Sequence, residues 1–226
     1  MRKILFALSC ICFFSCKEQN ESKVDNGTEA EKPKTEEVKA ANPEVSKWMS
    51  WADGVDLVAV TDTSFKQPNV IVHVASMVNT PVGSAPSGMV LYQPDAKQPP
   101  VVMGFVSTNN TVGSYFGPNI FAGTPFEKAP VLNATIDIKG GKEKATAKVV
   151  VGGHTFELEQ TNLSTPYLIS RAPSTMPPFH QQGVEVKAGK TILKVDGKEV
   201  NIIIPPVGIT GGPASVYSPN GVYARN

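Results

Sequence analysis

The sequence predicts an all-β protein, a mostly antiparallel β-sandwich of immunoglobulin-like or jelly-roll-like type with one short N-terminal helix. Short runs of alternating apolar and polar residues recur after residue 54, which is the pattern of half-buried strands. Glycine and proline separate these runs, as in tight turns. Strand patterns do not alternate with helical patterns, and this excludes a parallel α/β fold.

The helix is predicted in NPEVSKWMSWADG, residues 42–54. Asn42 can cap its first turn, Pro43 suits the first helical position and Gly54 can end it. Four apolar residues follow the helical spacing i, i+3, i+4 and i+7, namely Val45, Trp48, Met49 and Ala52. We therefore expect a short docking helix where the domain begins.

Strands are predicted in the segments that follow. Four of them lie in VDLVAV (55–60), NVIVHVAS (69–76), GMVLYQ (88–93) and PVVMGFVS (100–107). Residues 131–161 alternate between apolar and polar side chains, and glycine pairs at 140–141 and 152–153 divide them into a three-stranded antiparallel meander. A second hairpin follows in TILKVDGKEVNIII, with Asp196-Gly197 as its turn.

Residues 1–15 have the organisation of a secretory signal peptide. Arg2 and Lys3 give a positive start, and residues 4–14 form an apolar run. This run is shorter than the about 20 residues that a membrane-spanning helix needs. We therefore expect export across a membrane and removal of this segment.

All three cysteines, Cys10, Cys12 and Cys16, fall in the first sixteen residues. The stretch FFSC, in which the small Ser15 precedes Cys16, resembles the lipobox of bacterial lipoproteins. That resemblance implies cleavage after Ser15 and attachment of lipid to the Cys16 thiol. The membrane is then a partner through the lipid anchor, because two or more acyl chains hold a protein stably on a bilayer.

The sequence directly after Cys16 bears on location. CKEQNE, residues 16–21, is similar to the signal of lysine plus acidic residues in surface lipoproteins of the Bacteroidetes group. This similarity implies an outer-membrane protein displayed on the cell surface rather than on the periplasmic face. The rest of residues 16–47 is rich in charge and poor in large apolar residues, so we expect a disordered tether there and a β-sandwich domain in 48–226.

The charge balance excludes one class of partner. The chain has 21 Lys and Arg against 20 Asp and Glu, a formal net charge of +1, and the domain has no cluster of basic residues. Nucleic-acid binding needs a basic surface, so no nucleic-acid partner is expected.

Two long segments carry the candidate binding residues. Residues 109–130 hold aromatic side chains among Asn, Thr, Gly and Pro, and residues 171–183 form a second uncharged loop. Long loops in compact domains tend to be functional, and exposed aromatics could contact a sugar or a protein. The candidate ligand-binding residues are Trp51, Tyr115, Phe116, Phe121, Phe126 and His180.

A metal site is the alternative, because His and Met are ligands that suit copper. The candidate ligands are His73, Met77, Met176 and His180. Neither His–Met pair can hold a metal alone, since residues four apart lie about 13 Å apart on a strand and about 12 Å apart along an extended polyproline path. A copper site could form if His73 and His180 meet from separate strands, with Met89 or Met103 nearby.

A surface or periplasmic hydrolase is the third possibility. No G-x-S-x-G motif is present, and the lipidated Cys16 could not act as a nucleophile. Asp137, Glu157 and Glu159 could supply paired carboxylates, although all three fall in the polar phase of their strands. The leading hypothesis is therefore a non-catalytic binding or structural module, without a cofactor, for a glycan or a protein partner.

Overall fold

The computed structural model describes residues 47–225, which form eleven β-strands and two short helical turns. The strands are β1 (Lys47–Ala59), β2 (Val70–Thr80), β3 (Gly83–Tyr92), β4 (Val102–Ser107), β5 (Val131–Lys139), β6 (Lys144–Val151), β7 (His154–Leu163), β8 (Tyr167–Arg171), β9 (His180–Val195), β10 (Lys198–Val200) and β11 (Ser215–Arg225). Helix α1 (Asn110–Tyr115) leads into a π-helical turn at Phe116–Ile120. The predicted all-β class is confirmed. The predicted signal peptide, Cys16 and most of the tether lie outside the described residues.

Hydrogen bonds join nine of these strands into a closed circuit. The order around the circuit is β1, β2, β3, β4, β5, β6, β7, β9, β11 and back to β1. Neighbouring strands are antiparallel except for β4 and β5, which run parallel because the chain crosses over between them through α1. The prediction of mostly antiparallel strands is confirmed. The sandwich subtype stays a prediction. A sandwich has two separate sheets, whereas these hydrogen bonds run continuously around the circuit.

The closure depends on β9, which is 16 residues long. Its first half pairs with β11, and its second half pairs with β7. The two remaining strands each pair with β9 alone among the described strands: β8 continues the line of β7, and β10 continues the line of β11. Strand β8 therefore has one free edge.

The main core fills the inside of the circuit. Strand alternation directs every second side chain inward, and valine dominates these positions. The members of this core include Val55, Leu57, Val72, Val90, Val149, Phe156, Leu158 and Leu193.

A second core lies on the outer face of the wall formed by β1–β4 and β11. It is covered by α1, the π-helical turn and the residues after it, so residues 110–130 act as a lid over this face. The second core contains Met49, Trp51, Ile71, Met89, Phe105, Val112, Phe116, Ile120, Phe121, Phe179 and Tyr223.

The prediction of a helix over 42–54 was wrong from Lys47 onward, where β1 begins. Met49 and Trp51 are buried at a spacing of two, and β1 is paired along both edges, by β11 and by β2. Tertiary pairing therefore overrides the local helical spacing. The α-helix that does form is α1, where the Asn109 side chain caps the helix by accepting a hydrogen bond from the Thr111 amide at 2.9 Å. Among residues 47–225, no helix has the length and apolar character needed to cross a membrane.

Candidate functional site

The aromatic residues of segment 109–130 do not form an exposed platform. Phe116 is 1% exposed and Phe121 is also buried, and both rings pack on Phe105 with centroids 5.6 and 5.4 Å away. Phe126 lies edge-on to Phe121 and is half-buried. These side chains are needed to seal the second core, so the structure corrects their assignment as ligand contacts.

Trp51 and Tyr115 also have structural partners. Trp51 is 7% exposed, its indole N–H donates to the Ser218 hydroxyl at 3.0 Å, and its ring contacts Tyr223 at 4.6 Å. The ring lies against Gly221, where a side chain would not fit. Tyr115 is half-buried, and its hydroxyl accepts a hydrogen bond from the Trp48 amide at 3.2 Å. Trp51 is therefore a core residue, and Tyr115 ties α1 to β1.

His73 forms a pair with Asp56 on the face that carries the second core. The two residues are direct cross-strand neighbours on β2 and β1, and Nδ1 of His73 contacts Oδ1 of Asp56. The His73 ring lies nearly parallel to the Tyr223 ring, with 6.2 Å between the ring centroids. Burial acts to lower the pKa of His73, but the Asp56 carboxylate outweighs it and the net effect is a raised pKa. A cavity of about 20 Å³ beside this pair has room for about one water molecule.

The structure does not bring the candidate copper ligands together. Gln181 is buried and lies opposite Tyr223, on the face that carries His73. His180 precedes Gln181 and is exposed, so it points to the opposite face. Met77 and Met176 are both more than a third exposed. Within residues 47–225, no group of three or more His, Cys, Asp or Glu side chains is placed to hold a metal ion.

The candidate hydrolase carboxylates lie on the exposed outer face of β5, β6 and β7. Glu157 and Glu159 pair with Lys148 and Lys144, each with 3.5 Å between carboxylate oxygen and Nζ. Asp137 lies directly opposite Lys148 in the strand register. These acids line a polar groove of about 370 Å³ together with the lysines. The alternation of acid and lysine across strands is typical of a solvated sheet face.

A larger opening lies at one end of the circuit, and we call it the end pocket. It has a volume of about 530 Å³, within the range of small-molecule sites, and apolar atoms form most of its surface. The end of the circuit where β5 turns into β6 supplies one wall, the link between β7 and β8 supplies the second, and β9 and β11 supply the floor. The lining residues are Gly140, Gly141, Lys142, Leu163, Ser164, Thr165, Pro166, Val186, Tyr217 and Pro219.

Two polar side chains of the end pocket, Tyr217 and Ser164, are held by hydrogen bonds. The Tyr217 hydroxyl donates to Oδ1 of Asp53 at 2.7 Å, and burial together with this carboxylate raises the pKa of Tyr217. Gly140 lies so close to the Tyr217 hydroxyl that a side chain there would clash. Ser164 donates to the Thr165 carbonyl at 3.0 Å. Lys142 supplies the one charged side chain among the lining residues.

The apolar surface continues from the end pocket onto β8. Leu168 lies directly opposite Val184, and Val184 shares a face with Val186 because they are two apart on β9. Val186 lines the end pocket, so Leu168 lies on the same face. Leu168 is 86% exposed, the most exposed large apolar side chain of the described residues. His180 is on this face as well, by the same alternation, but six residues before Val186.

The sequence contained a signal for this site that the hydrophobic pattern alone did not reveal. YLISR, residues 167–171, is a short run with two large apolar residues and a tyrosine, and Pro166 and Pro173 bracket it. Proline at both ends is typical of an edge strand. The walls of the end pocket, however, come from residues 140–142, 163–166 and 217–219, and only the folded chain brings them together.

Comparison with family models, with curated proteins and with solved structures found no match for this chain.

Proposed function

We propose that this chain is a lipid-anchored outer-membrane protein, displayed on the cell surface, whose β domain is a non-catalytic binding module. The lipobox-like FFSC and the following CKEQNE support the anchor and the surface location. The charged segment 17–47 then serves as the tether between membrane and domain. The end pocket is the binding site of the domain.

One observation carries this proposal. The end pocket is about 530 Å³ in volume and mostly apolar, and it adjoins the exposed Leu168. Binding sites are typically concave and mostly apolar, with a few polar groups, and the end pocket has these features. No described carboxylate or histidine lines the pocket, so its lining suits binding better than acid–base catalysis.

The chemistry of the lining favours a protein partner over a glycan. A sugar presents hydroxyl groups in every direction and needs many polar partners on the protein. The lining offers mainly Gly, Pro, Leu, Val and the ring of Tyr217, and the Tyr217 hydroxyl already donates to Asp53. An apolar side chain of a protein fits such a surface better.

The pocket can be tested with an apolar fluorescent probe. We expect 1-anilinonaphthalene-8-sulfonate to bind the full chain at one saturable site with a blue-shifted emission. Thr165→Trp places a large ring at the exposed rim of the pocket and should weaken the probe about tenfold or more. Thr63→Trp is the matched control, because Thr63 is exposed in the loop between β1 and β2.

The outcome that contradicts the proposal is equally specific. Equal binding of the probe to the wild-type chain and to Thr165→Trp would place the apolar site elsewhere. Equal loss of probe binding in Thr165→Trp and in Thr63→Trp would indicate a general effect of an added tryptophan. Circular dichroism of both variants checks that the fold is retained.

A further inference from the structure

The outer edge of β8 has no partner among the described residues. β8 pairs with β9 along one side, from Tyr167 opposite Glu185 to Arg171 opposite Gln181. No other strand of residues 47–225 pairs with β8, and no turn or loop backbone bonds to it. In an antiparallel strand every second residue directs its N–H and C=O away from the paired neighbour. These groups are therefore available at the free edge.

Between the flanking Pro166 and Pro173, the five residues of β8 lack the unpaired charge that commonly protects free strand edges. Protected edges are very short or carry charges, especially lysine. The other strand that pairs on one side only, β10, is protected in this way: it has three residues, and two of them are Lys198 and Glu199. β8 has five residues, and Arg171, its one charged side chain, is bound to Glu185.

Strand β8 is also held rigidly on β9. Arg171 donates two hydrogen bonds to the carboxylate of Glu185, at 2.6 and 2.7 Å, and the Tyr167 hydroxyl donates to the same carboxylate at 3.0 Å. Glu185 is buried. A strand fixed in this way is already in the conformation that pairing requires, so binding a partner costs little free energy for ordering β8.

The end pocket lies directly beside this edge. The residues of its second wall, 163–166, lead without a break into β8, and Leu168 shares the face of the pocket floor. A strand added to β8 would direct alternate side chains to that face. One of them could then enter the end pocket.

We propose that β8 binds an extended peptide segment of a partner protein by strand addition, with one apolar side chain of the peptide in the end pocket. This inference rests on the proposed function and names the class of its partner. The repeating N–H and C=O groups of the edge match another extended polypeptide, and neither a lipid nor a glycan presents that repeat. Arg171 and Glu185 neutralise each other, so the part of the peptide that pairs with β8 needs no charge.

The test selects peptides and then changes their backbone. A phage-displayed library of random heptapeptides is selected on the full chain, and the recovered peptides are synthesised. Each is made in two further forms, with methyl groups on alternate backbone nitrogens in one phase or in the other. Strand addition predicts that one phase loses binding about tenfold or more while the other keeps it, because only alternate amides face β8.

Variants of the chain separate the edge from the pocket. Leu168→Lys places a charge on β8 and should reduce peptide binding about tenfold or more, whereas the matched Leu168→Thr should keep most of it. Strand addition is overturned if peptide binding is lost in Thr165→Trp but kept in Leu168→Lys, and if both methylated forms of the peptide still bind. That result leaves the proposed function of the pocket standing. Loss in Leu168→Lys but not in Thr165→Trp supports pairing at β8 and contradicts the role of the pocket.

Two further outcomes overturn the inference. The first is that no peptide is recovered on the wild-type chain beyond those recovered on Leu168→Lys. The second is concentration-dependent dimerisation of the wild-type chain, abolished by Leu168→Lys, without peptide binding, since the edge of a second copy would then occupy β8. Sedimentation velocity measures the second outcome directly.

Discussion

His73 and Asp56 show how a single pair can link stability to pH. The raised pKa of His73 means that the folded state binds a proton more tightly than the unfolded chain does. The stabilisation is then fully present below the ordinary histidine pKa of 6.5 and is lost as the pH rises through the raised pKa of the folded state. The pair is therefore a stabilising contact at mildly acidic pH.

We predict that the stability difference between the wild-type chain and His73→Gln shrinks as the pH rises. Urea unfolding between about pH 5.5 and about pH 9 measures this difference. Asp56→Asn is the control, because it removes the carboxylate that raises the pKa. In the Asp56→Asn background, the stability change caused by His73→Gln should depend less on pH. A constant difference across the pH range in the wild-type background would contradict the role of this pair.

Glu185 holds β8 through two partners, Arg171 and Tyr167. Burial and the Glu185 carboxylate also raise the pKa of Tyr167 to about 12, so its phenol remains a donor at neutral pH. We predict that Glu185→Gln lowers the free energy of unfolding by about 3 kcal/mol, because it leaves a largely buried guanidinium without its carboxylate. Guanidinium chloride or urea unfolding gives the value.

The double variant provides the control for this prediction. Replacing both partners, Glu185→Gln with Arg171→Met, should recover part of the loss, because no unpaired charge remains. If the double variant loses as much free energy of unfolding as the two single variants together, the pair has no net coupling.

Strand alternation predicted the environment of some residues and not of others. It placed Leu158 and Phe156 in one phase, and both are in the core. It could not show that Asp56 lies opposite His73, because the two are on different strands and the register depends on the whole sheet. For the same reason, the metal hypothesis paired His73 with His180, which are on opposite faces.

At the scale of elements, the segment 109–130 is the main difference between sequence and structure. Its Gly, Asn and Pro content predicted a loop, yet it forms α1 and a π-helical turn that cover a second core. The apolar face beneath it consists of strand residues that point away from the main core. The pattern of half-buried strands predicts solvent on that face. A wall with apolar residues on both faces needs a second cover, and this segment is that cover.

We predict that Phe116→Ala lowers the free energy of unfolding by about 3–5 kcal/mol, because it leaves a cavity under this lid. Thr111→Ala, on the exposed side of α1, should change it by less than about 0.5 kcal/mol. Urea unfolding of both variants measures the effect. A stable Phe116→Ala variant with lost partner binding would instead restore the earlier interpretation of Phe116 as a ligand contact.

The prediction for residues 42–54 failed for a related reason. Asn42, Pro43 and Gly54 are valid helix signals, but each of them affects only the backbone within about one turn of its own position. From Lys47 onward the segment gains hydrogen bonds on both sides from β11 and β2, and one of these strands lies more than 160 residues away. Local signals carry no information about such distant partners.

At the scale of the whole molecule, the all-β class was predictable and the connectivity was not. The three-stranded meander of residues 131–161 appears as β5, β6 and β7, and the hairpin at Asp196-Gly197 appears as β9 and β10. The parallel pairing of β4 with β5 and the closure by β9 depend on long-range geometry. The end pocket arises from that closure, so it could not be predicted either.

The anchor is tested on the whole chain in its native host. We predict that Cys16→Ser abolishes incorporation of labelled palmitate and releases the protein from the membrane fraction without detergent. Cys12→Ser is the matched control and should leave both unchanged, since the proposed cleavage after Ser15 removes Cys12. Palmitate labelling that persists in Cys16→Ser would contradict the lipoprotein assignment. Protease digestion of intact cells then distinguishes the two sides of the outer membrane.

The pairing of β1 with β11 has a consequence for how the protein matures. Lys47 lies opposite Arg225, so the earliest described strand shares its long edge with the latest. Contacts so distant in sequence make folding slow, and β1 keeps an open side until β11 has been made and has paired with it. Loss of the last eleven described residues, 215–225, would expose long edges on both β1 and β9. Such a shortened chain should aggregate.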